Sequence, residues 1–383
     1  MSQLEHPLAG KREQIATRAV FLVAGLAMAA WAPLVPFAKA RVGVEAGGFG
    51  ILLLFVGLGS IAAMPITGVL ASRFGCRAVI VVASVVLAVT VPFLALAATP
   101  VALAIALAVF GASVGTVDVA MNIQAVMVEK DSGKSMMSGF HGLFSLGGIV
   151  GAGGVSLLLG AGLPPLGATL AVSAMLLALL VFSFNGLLPY GNREEGSTPL
   201  FVVPKGIVIA IGLLCFAVFL GEGAILDWSA LFLIASHGME EAMAGLGYTM
   251  FAVAMTFGRL AGDWIVRTLG GTKVVVFGGI LASGGFFVAV FAPNQILALL
   301  GFALVGLGAS NIVPVFFSAA GRQTVMPPSL AVAAVTTFGY AGILLGPATI
   351  GFLAQHSSLS AAMILLGVIM AIVAVTGPMV SRK

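Results

Sequence analysis

Residues 68–77 read GVLASRFGCR, and residues 262–273 read GDWIVRTLGGTK. Each sets an arginine five residues after a glycine, Arg73 after Gly68 and Arg267 after Gly262, in a short polar loop between apolar runs. A second pair of matches supports the first: Gly-Ala-Ser occurs at 111–113 and again at 308–310. Two signatures at corresponding positions of the two halves support an internal duplication.

Working outward, cuts at charges, prolines and glycine clusters leave twelve apolar segments. They fall at about 16–38, 48–71, 77–98, 101–128, 135–160, 166–189, 206–235, 244–266, 274–292, 295–320, 329–354 and 360–379. Of 383 residues, 60% are hydrophobic and 8% charged, and mean hydropathy is +1.19. A soluble domain carries roughly 25% charged residues. Twelve spans of ~20 residues use about 240 and leave room for short loops and one linker. Composition therefore excludes a water-soluble enzyme, a nucleic-acid-binding domain and a disulfide scaffold. Cys76 and Cys215 fall in a short loop and an apolar run, which disfavours a disulfide, and neither has metal-ligand spacing.

The expected fold is an all-α integral membrane protein, with twelve transmembrane helices in two pseudo-symmetric six-helix bundles. The bundles are residues 1–189 and 206–383, joined by the polar interval 190–205, YGNREEGSTPLFVVPK. Residues 1–15 are polar and the first apolar run is too long for a signal-peptide core, so it reads as an uncleaved span. Of the seventeen Lys and Arg residues, fourteen lie on the side of the termini. They are Lys11, Arg12, Arg18, Arg73, Arg77, Lys130, Lys134, Arg193, Lys205, Arg267, Lys273, Arg322, Arg382 and Lys383. Lys39 and Arg41 lie opposite, and Arg259 is within a span. The positive-inside rule makes the termini and linker cytoplasmic. Trp31 and Trp228 then fall near outer ends and Trp264 near an inner end, as interfacial anchors.

Six plus six spans with a basic glycine loop after the second resemble the major facilitator superfamily over essentially the whole chain. The likeness is closer to its branch similar to the rhizopine transporter MosC and to YbjJ. The residues carrying it are Arg18 with WAPLVPFAK (31–39), DVAMN (118–122), SGFHGLFSLGG (138–148), EGAILDWSA (222–230) and GLGASNIVP (306–314). The resemblance implies a secondary transporter of a small polar solute such as a sugar, cyclitol or amino-sugar derivative, working by alternating access in the inner membrane, with proton symport ahead of efflux. Two departures stand out. Ser72 occupies the loop position usually held by an acid, which weakens the charge-paired gate of the first half. Stretch 147–154, GGIVGAGG, lacks the Gly-Pro pair typical of drug antiporters.

Ionisable side chains inside a span are costly and mark function by default. Asp118 lies eleven residues before Glu129, about 16 Å up the fourth span. Asn122 shares its face. His141, across the short loop to the fifth span, falls nearly level with Asn122. Burial and a nearby imidazolium act in opposite senses on a carboxyl's proton affinity, so such a cluster can take up or release a proton as its access to water changes. A brace for the helical hairpin is the plainer alternative.

In the seventh span, Glu222 reads as a coupling or binding carboxylate and Asp227 as an outer gate or an interfacial cap beside Trp228. Five residues set them about 140° apart, so both face one cavity only if the helix bends at Gly221 and Gly223. Asn311 sits eleven residues before Arg322 and reads as the repeat's counterpart of Asp118, with Pro314 freeing local carbonyls for water or ligand. Arg259 and Asp263 are spaced to pair along the eighth span near its cytoplasmic end. With Arg73, Arg77 and Arg267 they look like the superfamily's gating residues. Trp31, Phe140, Phe144 and Tyr340 are aromatic candidates for the substrate cavity, against the commoner role of facing lipid or packed helices.

Gly133-Lys134-Ser135 resembles a P-loop end without its earlier glycine or strand, and no metal-binding cluster stands out. No cofactor is expected. The expected partners are a small-molecule substrate, protons and the lipid bilayer, with no nucleic acid, and the chain is expected to work as a monomer. An enzyme using His141 with Ser138 or Ser145, or a non-transporting sensor, is the reading of another class.

Overall fold

Inside a bilayer every backbone amide and carbonyl must find its partner within the protein, which leaves helices as the economical answer for a chain this apolar. The computed structural model describes residues 8–44, 46–191, 203–240, 243 and 245–381, and among them the regular structure is helical with no strand. Most of the expected linker lies outside the described residues, as do Arg193, Arg382 and Lys383.

The first half runs α1 (Lys11–Ala30), a 3-10 turn (Ala32–Leu34), α2 (Val35–Val42), α3 (Ala46–Leu96), α4 (Pro100–Ser132), α5 (Met137–Gly160) and α6 (Pro165–Ser183). The second runs α7 (Ile207–His237), α8 (Leu246–Leu269), α9 (Gly271–Phe291), α10 (Gln295–Ala309), α11 (Ile312–Arg322), α12 (Pro328–His356), α13 (Leu359–Thr376) and α14 (Pro378–Ser381). Ten helical stretches among the described residues are long and apolar enough to cross a membrane. The chain is a multi-pass membrane protein. Leu157 and Val181 are each 76% exposed, an arrangement that suits lipid rather than water.

Three local breaks refine the sequence reading. The first apolar run is interrupted at Trp31–Leu34, where Pro33 and Pro36 each lie in the first turn of a new helix. The 51-residue α3 turns at Gly75, whose φ of 82° and ψ of 156° are not helical. The expected tenth span is broken between α10 and α11 at Ser310 and Asn311.

The chain forms two compact units. The first holds residues 1–134, 143–203 and 326–334; the second holds 135–142, 204–325 and 335–383. Each half thus lends a short helix end to the other unit: the start of α5 belongs to the second and the start of α12 to the first. Within the first unit, glycines set the helix spacing. A methyl on Gly111 would fall onto the Val56 carbonyl of α3, and one on Gly151 onto the Leu26 carbonyl of α1. The Gly-x3-Gly faces at 111/115 and 147/151 are close-packing seams.

Residues 187–191 strap one end of the first unit. Cys76 and Arg77 amides donate to the Tyr190 and Leu188 carbonyls at 3.3 and 2.8 Å. Arg77 Nε donates to the Leu187 carbonyl at 2.9 Å and its guanidinium lies 5.4 Å from the Phe184 ring centre. The Leu188 amide donates to Gln124 Oε1 at 3.0 Å, and Gln124 Nε2 donates to Thr17 Oγ1 at 2.9 Å. One fully buried glutamine thereby ties α1, α4 and the strap.

Candidate functional site

The second unit holds the principal charged pair. Glu222, midway along α7, faces Arg259 of α8, with Oε1 3.6 Å from Nη2 and both side chains at most 15% exposed. Sequence spacing places Arg259 near one end of its span and does not pair it with Glu222; in the structure Arg259 is the fourteenth of the 24 residues of α8, and its long side chain reaches Glu222.

Arg259 is also held from a third helix. Pro314 sits in the first turn of α11 and has no amide hydrogen, so the Ser310 carbonyl four residues earlier lacks its usual helical donor. Arg259 Nε donates to that carbonyl at 3.3 Å. The freed carbonyl expected near Pro314 is therefore present and taken by an arginine. Asn311 completes the joint: its Nδ2 donates to the Gly258 carbonyl and to Ser310 Oγ, both at 3.0 Å. Its Oδ1 is buried without a hydrogen-bond partner, directly over Gly262.

The bend of α7 that would bring Glu222 and Asp227 to one cavity is absent. The helix runs unbroken through Gly221 and Gly223, because the glycines serve packing: a methyl at Gly223 would lie 3.3 Å from the Ile343 backbone of α12. Asp227 consequently stays on another face and is exposed, while Glu222 is enclosed. Trp228 is half-buried against α12. Its Nε1 is buried without a hydrogen-bond partner, and a methyl at Gly351 would lie 3.0 Å from the indole.

At the start of α5, the Gly139 amide donates to Asp263 Oδ1 at 2.9 Å. An amide in the first turn of a helix has no intrahelical acceptor, so the carboxylate of α8 caps α5 from outside. His141 lies two residues on, buried, with its ring centre 5.6 Å from that of Phe317 in α11 and within electrostatic reach of Arg259. Phe140 is fully buried, and Tyr340 of α12 is half-buried. Arg267, in the last turn of α8, is exposed.

The first unit holds the other candidates. Asp118 and Asn122 are buried on α4, where Asn122 Nδ2 donates to the Asp118 carbonyl at 2.9 Å and approaches Asp118 Oδ1 at 3.5 Å. Asn122 Oδ1 is buried without a hydrogen-bond partner. Trp31 packs on the apolar core, half-buried Phe144 offers its carbonyl to the close approach of Gly25, and Arg73 is exposed. Asp118 and Asn122 thus belong to the first unit and His141 to the second. Sequence reading missed Gln124, Thr17 and the cap on Gly139; a glutamine within an apolar run was the one available signal.

A family model described as Major Facilitator Superfamily matches residues 19–329. The chain is 55% identical over 373 residues to an uncharacterized MFS-type transporter of Yersinia pestis, covering 97% of both chains. It is 29% identical over 374 residues to membrane protein MosC of Rhizobium meliloti, across 96% of this chain and 90% of that one. Among solved structures, the E. coli fucose:proton symporter FucP aligns with a TM-score of 0.80 at 15% identity, covering 97% of this chain and 98% of its own.

Proposed function

The chain belongs to the Major Facilitator Superfamily, and on that premise we propose that it carries a small polar solute by proton-coupled symport. The solute is of the sugar, cyclitol or amino-sugar kind. The observation that carries the coupling is the enclosed pair of Glu222 and Arg259 at 3.6 Å. Each ionised group at bilayer depth costs ~2.5–3.5 kcal/mol on insertion scales, so a chain with 8% charged residues retains them where charge is used. A proton on Glu222 removes one partner's charge, while the Ser310 carbonyl still holds Arg259. That gives two states of differing electrostatic energy, which a transport cycle needs.

The rest of the reading follows from this centre. Asp118 and His141 are the further proton-exchanging groups, and Asn122, Asn311, Trp31, Phe140, Phe144 and Tyr340 contact substrate. Arg73, Arg77, Arg259, Asp263, Arg267 and Asp227 act in gating. Residues 1–189 and 206–383 form the two six-helix bundles of an alternating-access cycle. This tally takes the two arms of α3 as separate spans and includes α8. The basic residues favour cytoplasmic termini in a bacterial inner membrane. The fucose:proton symporter sharing the fold supports the class of coupling.

The test uses proteoliposomes. Glu222→Gln should abolish proton-driven accumulation and spare substrate exchange without a gradient, and Asp118→Asn should behave likewise. Full accumulation in both variants would remove these acids from the mechanism.

A further inference from the structure

The Arg259 guanidinium is held by a charge and by a neutral carbonyl. Its Nη2 lies 3.6 Å from Glu222 Oε1, and its Nε donates to the Ser310 carbonyl at 3.3 Å. That carbonyl is available because residue 314 is proline. An amide there would claim it as the ordinary i to i+4 bond, and the helix would run through the Ser310–Asn311 break. We infer that Pro314 is a positioning residue for the proton site: by keeping the Ser310 carbonyl unclaimed, it fixes the fork of Arg259 against Glu222.

The inference rests on the reading of Glu222 as a proton-exchanging group and adds how its partner is held. A planar guanidinium can serve a carbonyl and a carboxylate at once in fixed directions, whereas an ammonium cannot. The surroundings favour such an anchor. Asn311 Nδ2 on the Gly258 carbonyl fastens the break to α8 one residue before Arg259. Tyr248 on α8 and Cys215 on its own helix lie within electrostatic reach of Glu222, His141 of α5 lies within reach of Arg259, and Asp263 follows Arg259 by one turn of α8. Tyr340 is the titratable residue that α12 carries in its central turns.

Infrared difference spectra of the full chain in lipid, recorded through a pH titration, read the protonated-carboxyl stretch with the proton itself as probe. Glu222→Gln identifies the band belonging to Glu222. Pro314→Ala restores an amide without touching any charge, and Arg259→Lys keeps the charge but loses the fork. Both should displace the midpoint of that band by about tenfold in proton concentration. Pro165→Ala, a first-turn proline of α6, serves as the control and should leave it unmoved. A wild-type midpoint in Pro314→Ala with a displaced one in Arg259→Lys would overturn the positioning role. A spectrum unchanged by Glu222→Gln would instead overturn the reading of Glu222 on which it rests.

Discussion

At the scale of single residues, ionisable groups were legible and their partners were not. Asp118, His141 and Glu222 stand out because a carboxyl or imidazole in an apolar run has no packing excuse. Arg259 was equally visible, yet its contact with Glu222 joins two helices and leaves no periodic trace. Gly75 illustrates a residue fixed by backbone geometry. At φ 82° a side chain is strained, and a methyl there would fall onto the Pro189 carbonyl. Gly75→Ala should therefore destabilise the first unit by about 1–3 kcal/mol, read as a lower thermal midpoint in detergent. His141→Gln should alter the pH profile of proton-driven transport at unchanged protein abundance, since the ring lies within electrostatic reach of Arg259. An unchanged profile would mean that the ring only braces the start of α5.

At the scale of elements, helix positions followed from hydropathy, and the errors cluster where a helix is interrupted or capped from outside. The turn at Trp31–Leu34 and the break at Ser310–Asn311 both sit beside prolines that the sequence displays. Whether such a proline ends, kinks or merely starts a helix depends on what takes the freed carbonyl. For Ser310 that is Arg259, from a different element. The cap on α5 has the same origin, because Asp263 lies 124 residues from Gly139. Asp263→Ala should cost about 0.5–2 kcal/mol as the loss of a cap, with Asp263→Asn closer to wild type because it keeps an acceptor. Thermal unfolding followed by helical circular dichroism measures both. Gln124→Leu leaves the Leu188 amide without its acceptor and removes the donor to Thr17 Oγ1, which keeps its own bond to the Glu13 carbonyl, at about 1–3 kcal/mol. Earlier proteolytic cutting after the strap would report the loosened 187–191 segment, and wild-type resistance would contradict this clamp.

At the scale of the whole molecule, the duplication seen in two loop stretches and two Gly-Ala-Ser triplets anticipated a fold that matches the Major Facilitator Superfamily across residues 19–329. The exchange of helix ends between the two units was not legible, since it depends on tertiary contacts of residues 135–142 and 326–334 alone. The repeat is also chemically uneven. The second half carries the Glu222–Arg259 pair and the Asp263 cap, whereas Ser72 in the first-half loop spends its hydroxyl on the Val69 carbonyl at 2.8 Å. We therefore place the principal charge switch in the second half. If solute and proton move together, substrate-induced proton movement in proteoliposomes measures this directly. Sugars, cyclitols and amino sugars form one panel and cationic drugs another. Proton entry with a member of the first panel, lost in Glu222→Gln, is the predicted result; proton exit coupled to entry of a cationic drug would contradict it.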